Sequence, residues 1–275
     1  MQLYGLLPIL RDADEYRWVR SMLAPAGSSC RLGLMQAATP FFLASLQQDV
    51  RAPICLVVAD PEHAAAATEE SQRWLRRAMA ERAKSAREAV KFGGALVSQF
   101  GYASSGRTYC IADPNEAWML SVVNGKHWVA QRIPDDEVAI IPNYYTITTI
   151  DLKDTLNYYG ASDLVDYAIK RKWYNPKKAG EFNFREAYSN QENLKNMGNI
   201  VRHWSAINQL SEKQYAIDEA FPFSFKPKQK VTLEMLFTVL RNHNEGSEYD
   251  NSEGYTKNHP HEDWTICSPT TQYGF

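Results

Sequence analysis

The chain has 275 residues, 44% of them hydrophobic, enough to bury an ordinary globular core in one large domain or two small ones. Thirty basic residues against thirty-two acidic ones leave a formal charge of -2, a balance that asks for neither nucleic acid nor an anionic membrane as partner. No apolar run reaches the ~20 residues that span a bilayer, and the start MQLYGLLPILRDADEY has acids where the apolar core of a signal peptide would end, so a cytoplasmic location is expected.

Residue usage changes along the chain. Residues 1–70 contain no lysine and no asparagine; the first of each are Lys84 and Asn115, after which both are frequent. This places a boundary near residues 70 to 75, with segments 1–73 and 74–275. In the first, EYRWVRSMLA predicts a helix with Tyr16, Val19, Met22 and Leu23 on one face. SCRLGLM reads as a strand, TPFFLASLQQDV as a helix capped by Thr39 with Pro40 in its first turn, and PICLVVAD as a buried strand. Strand, helix, strand is a βαβ unit. The turn where a phosphate would sit, GLMQAATP, has no G-x-x-x-x-G-K-[ST] pattern, and no cofactor is expected.

The second segment opens with SAREAVKFGGALVSQFG, a predicted helix. Ser85 and Glu88 form a capping box, Ala86, Val90, Leu96 and Val97 supply the apolar side, and Gly101 is the stop. RTYCIADPNEAWMLSVV predicts a hairpin about D-P-N, and HWVAQRIPDDEVAIIPN predicts another about P-D-D, hence an antiparallel sheet. Helices follow at SDLVDYAIKRKW, GNIVRHWSAINQL and TLEMLFTVLRNH, with Ser162 and Thr232 as caps of the first and last. TICSPTTQYGF reads as strand, turn and strand.

Few residues declare chemistry by themselves. In AIIPNYYTI an apolar run ends at Pro142 and presents Asn143, either a turn residue or a donor aimed into a cleft lined by Tyr144 and Tyr145. His127, His203 and His243 lie on different elements with no acid at telling spacing, and read as structural. The four cysteines, Cys30, Cys55, Cys110 and Cys267, are scattered without C-x-x-C pairs. They read as buried free thiols, and no zinc site is expected. PDDE reads as a solvated turn and NHPHED as a polar loop.

Two resemblances add to this. LYGLLPILRDADEYRWVRSML and LGLMQAATPFFLASLQQDVRAPICLVVADPEHA resemble the start of transcription-repair coupling factors. By that likeness the first segment would be a non-enzymatic scaffold contacting a DNA-repair protein, the alternative function for the chain. From about residue 74 on, the sequence resembles the dipeptidase A and secernin family of cysteine peptidases, in the N-terminal-nucleophile hydrolase superfamily. That likeness is carried by YASSGRTYCIADPNEAWMLSVVNGKHWVAQRIPDDEVAIIPNYYTI, DLVDYAIKRKWYNP, FNFREAYS, FPFSFKPKQKV and TICSPTTQYGF.

The second resemblance implies an α+β fold, part of a four-layer αββα sandwich with antiparallel sheets, and hydrolysis of dipeptides or small amides. It implies a cysteine at a mature amino terminus as nucleophile, its own α-amino group as base, Asn143 as oxyanion donor and Arg202 as a helper near the nucleophile. By the residues alone, Arg202 can equally be a surface arginine of an amphipathic helix. The family's nucleophile lies upstream of SAREAV; here Met1 is followed by Gln2 and none of the four cysteines matches the motif, so residues 1–275 alone are expected to be inactive.

Overall fold

The computed structural model describes residues 14–23, 75–250 and 264–267. Helix α1, Asp14–Leu23, buries Tyr16 and Val19, as expected, but leaves Met22 exposed. At 3.6 residues per turn Met22 sits roughly 120° round the helix from Tyr16, outside the apolar stripe. The strands and helix read between residues 24 and 73 lie outside the described residues. Helix α2 covers 75–82 and buries Leu75, Ala78 and Met79, the i, i+3, i+4 face.

Helix α3, Ala86–Phe100, forms where the caps predicted it. The Ser85 side chain accepts from the Glu88 N–H, while the Glu88 carboxylate accepts from the Lys84 N–H at 2.8 Å, one residue before the usual box partner. Gly101, at φ 81°, ends the helix by donating to the Val97 carbonyl. Inside the helix, Gly94 is required by packing, because a Cβ there would overlap the Trp128 indole.

Four antiparallel strands follow, β1 Arg107–Ala112, β2 Ala117–Val122, β3 Trp128–Ile133 and β4 Tyr158–Gly160, in spatial order β1-β2-β3-β4. The D-P-N hairpin is as predicted. The Asp113 carboxylate accepts from the N–H groups of Asn115 and Glu116, and also from that of Ala86, which ties the turn to the start of α3. The P-D-D hairpin is not. A turn forms there, with the Glu137 N–H on the Pro134 carbonyl, but the chain then leaves the sheet; Val138 bridges Phe225, and the outer edge of β3 is taken by β4. The run expected as a buried strand at 139–142 is therefore irregular chain.

That run is apolar because it crosses between two hydrophobic clusters. Val138 and Ile140 pack on the smaller one, Ile207, Leu210, Phe221 and Phe225, whereas Tyr145 and Ile147 belong to the larger one around the sheet. Strand β2 is buried on both faces from Trp118 to Val122. Leu120 lies toward α3 beside Gly93, and Met119 lies toward Thr146, whose hydroxyl contacts its sulfur.

The remaining helices are α4 Leu164–Lys170, α5 Phe184–Tyr188, α6 Gln191–Lys195, α7 Met197–Leu210 and α8 Leu233–Leu240. Thr232 caps α8 as expected. Ser162 does not cap α4; the first helical bond runs from Tyr167 N–H to the Asp163 carbonyl, so the cap position falls one residue later, on Asp163. No strand forms at 265–267, and the rest of TICSPTTQYGF is outside the described residues. The fold is of the α+β class. Among the described residues no helix is long and apolar enough to cross a membrane.

Candidate active site

The bend that carries Asn143 is fastened on the side where the chain re-enters the core. Tyr144 is half-buried, its hydroxyl 2.7 Å from His203 Nδ1 on α7. Tyr145 turns the other way, into the core, and donates to the Val122 carbonyl at 2.7 Å. It packs in part against Gly106, which stands at φ 117°, where a Cβ would overlap the tyrosine hydroxyl. Two more bonds fix the segment beyond, from the N–H groups of Phe184 and Arg185 in α5 to the carbonyls of Thr148 and Ile147. Asn143 itself is exposed, and among the described residues its amide has no hydrogen-bond partner.

The cleft expected between Tyr144 and Tyr145 is thus not made by both. Successive side chains in extended backbone point to opposite sides, so Tyr144 turns to α7 while Tyr145 joins the core. Arg202 is half-buried on α7 and donates from Nη2 to Asn199 Oδ1 at 2.7 Å; the buried Asn199 amide in turn donates to the Asn193 carbonyl. Asn143 and Arg202 are each next in sequence to one partner of the Tyr144–His203 bond.

Electrostatics make that bond a neutral one. Burial, with a smaller contribution from the Arg185 charge, lowers the His203 pKa to about 4; burial pushes the Tyr144 phenol up to about 12, with Arg185 opposing. At neutral pH a phenol therefore donates to an uncharged imidazole. Because the His203 pKa is depressed in the folded state, its contribution to stability is complete above the ordinary value near 6.5 and is lost as pH falls from there through about 4. Denaturant titrations are expected to show a loss of about 3 kcal/mol across that window that is absent in His203→Gln, after allowing for the carboxylates common to both. A parallel pH profile in the variant would exclude His203 as the source.

The other histidines have partners of their own. His127 Nε2 lies 3.2 Å from the Asp163 carboxylate and its ring stacks on Tyr167 at 4.0 Å, while His243 Nδ1 lies 3.7 Å from Glu245. The cysteine expectation needs correction, since Cys110 is exposed. It sits at an outward position of the edge strand β1, where one face of the strand is not covered, although partial burial still pushes its thiol pKa up. Cys267 is half-buried, and Cys30 and Cys55 lie outside the described residues. A cavity of about 490 Å³ lies between α2, the start of α3 and β1, lined by Arg76, Met79, Lys84 and Tyr109 among others; neither Asn143 nor Arg202 reaches it. Sequence reasoning did not single out Arg185. It lies in FNFREAYS, but nothing in that block signals that it stands beside Tyr144 and His203.

The chain is 31% identical over 189 residues to a "Probable dipeptidase" of Salmonella dublin, covering 68% of this chain and 42% of that protein. It is 34% identical over 168 residues to a "Probable dipeptidase" of Latilactobacillus sakei, covering 60% and 35%, and 30% identical over 184 residues to a "Dipeptidase" of Bifidobacterium longum, covering 61% and 34%. The chain thus spans about two fifths or less of the length of these relatives. The profile described as "Peptidase family C69" matches residues 53–271, beginning ahead of the boundary expected near residues 70 to 75. With four fifths of its length inside that match, the chain belongs to peptidase family C69.

Proposed function

We propose that this chain carries the oxyanion-donor and substrate-binding part of a dipeptidase that cleaves dipeptides or small amides through a cysteine at a mature amino terminus. The thiolate attacks the peptide carbonyl, the α-amino group of the same cysteine accepts the thiol proton and returns it to the leaving amine, and water later releases the acyl group. Asn143 donates to the tetrahedral oxyanion, and Arg202 holds charge near the nucleophile. The observation that carries this reading is Asn143 itself, an exposed amide without a partner among the described residues, on a bend held by two tyrosine hydrogen bonds. Preset donors of this kind are effective because they need no reorganisation when charge develops. The sheet with α3 on one face serves as one helix-and-sheet pair of an αββα sandwich.

Residues 1–275 expressed alone are expected to give no dipeptide turnover above background, since a donor and an arginine do not replace the thiolate and its base. A chimera in which residues 74–275 replace the matching part of the Bifidobacterium longum dipeptidase, folded by circular dichroism, is expected to hydrolyse dipeptides. Turnover by residues 1–275 that is lost in Cys110→Ala or Cys267→Ala would overturn the assignment of the nucleophile. A folded chimera without turnover would overturn the dipeptidase reading.

A further inference from the structure

Arg185 stands out among the cations of the described residues near the Asn143 bend. It is half-buried on α5, and its backbone N–H is bonded to the Ile147 carbonyl, four residues past Asn143. No carboxylate of the described residues pairs with it. Among the described residues its side chain makes one hydrogen bond, a long one of 3.4 Å from Nη1 to the Phe221 carbonyl. A guanidinium has five N–H donors, so the edge formed by Nε and Nη2 is left without an acceptor among the described residues. A guanidinium edge left open in this way suits a planar anion that can accept from both of its nitrogens. The surroundings fit an anion that comes and goes. Arg185 acts on both Tyr144 and His203, which sets its charge beside the bond that fastens the Asn143 bend.

We propose that Arg185 is the anchor for the α-carboxylate of the bound peptide, a proposal that rests on the dipeptidase reading above. The planar fork pairs with both carboxylate oxygens. Arg185 acts on the side chain of Tyr144, the residue directly after Asn143, and only a short peptide carries its free carboxylate close to its scissile bond. Arg185 thereby restricts the site to peptides whose free carboxylate closely follows the bond to be cut.

Binding tests this without turnover. Residues 1–275 are titrated by calorimetry with alanylalanine and with alanylalanine amide, beside the variants Arg185→Gln and Arg185→Lys, each checked for an unchanged circular dichroism spectrum. The free dipeptide is expected to bind at least about tenfold more tightly than the amide, as one charge-assisted bidentate contact implies. Arg185→Gln should erase that difference while leaving the amide's affinity unchanged, and Arg185→Lys should keep part of it. Equal binding of the two compounds by the parent, or a preference that survives Arg185→Gln, would overturn the assignment and leave the dipeptidase reading intact. Failure of the parent to bind either compound would overturn both.

Discussion

Replacing Arg87 with alanine is expected to lower the stability of the protein by about 3 kcal/mol, the range seen when one partner of a largely buried ion pair is removed. Arg87 projects from the first turn of α3. It meets Glu116 through both arms, Nε to Oε1 at 3.1 Å and Nη2 to Oε2 at 2.7 Å, and its remaining donors reach the carbonyls of Thr155 and Leu156 and the Tyr159 hydroxyl, each at 3.1 Å. The guanidinium also lies 4.8 Å from the centre of the Trp118 ring. One side chain thus joins α3, the β1–β2 turn, the loop before β4 and β4 itself. Its loss strands the carboxylate of Glu116, a side chain only 13% exposed whose other basic partner, Arg132, stands at 3.4 Å. Urea denaturation measures the effect. Glu116→Ala added to Arg87→Ala should cost less than the two changes taken separately, because the stranded charge is removed with its partner. Arg87→Lys should recover less than half, since an ammonium does not reproduce the fork. A loss below about 1 kcal/mol would mean the cluster behaves as a solvated surface pair.

In the active chimera, Asn143→Ala is expected to lower kcat roughly a hundredfold or more with little change in KM. The contrast between catalysis and stability makes this decisive. Because Asn143 is exposed and its amide has no partner among the described residues, its removal should change stability by no more than about 0.5 kcal/mol, the usual range for a surface substitution. A residue that served only the turn would show the reverse, a loss of stability with kcat preserved. The mechanism confines the effect to kcat, since the donor acts on charge that exists only after attack on the carbonyl. Asn143→Asp should be worse than alanine because it sets a carboxylate against the oxyanion. A rise in KM with kcat intact would move Asn143 from oxyanion stabilisation to ground-state binding.

What could be read in advance follows how local the determining forces are. Helix α3 was legible because its cap, apolar face and glycine stop all lie within seventeen consecutive residues. The D-P-N hairpin was legible for the same reason, its turn being closed by its own Asp113 carboxylate. The second hairpin was misread because EVAII has the same pattern whether it returns to β3 or leaves it. The outcome is set by β4, three residues ending in Gly160, too short to register as a strand. At the candidate site, Pro142 marked a break before Asn143. The bond that positions it joins a loop to a helix 59 residues on, and no periodic pattern encodes such a meeting. Arg185 was missed because the absence of a counter-charge is a fact about neighbours in space.

The crossing of residues 138–147 between two hydrophobic clusters also bears on how the site fails. Ahead of Asn143, Val138 and Ile140 pack on the smaller cluster and Ala139 on the larger, which also holds Tyr145 and Ile147 beyond it. The donor's position therefore survives only while both anchorages hold, and its effective stability is that of whichever cluster opens at lower free energy. A partial opening of the smaller cluster, with the sheet still closed, would disperse Asn143 over many positions. The protein would then lose its preset donor well before it unfolds.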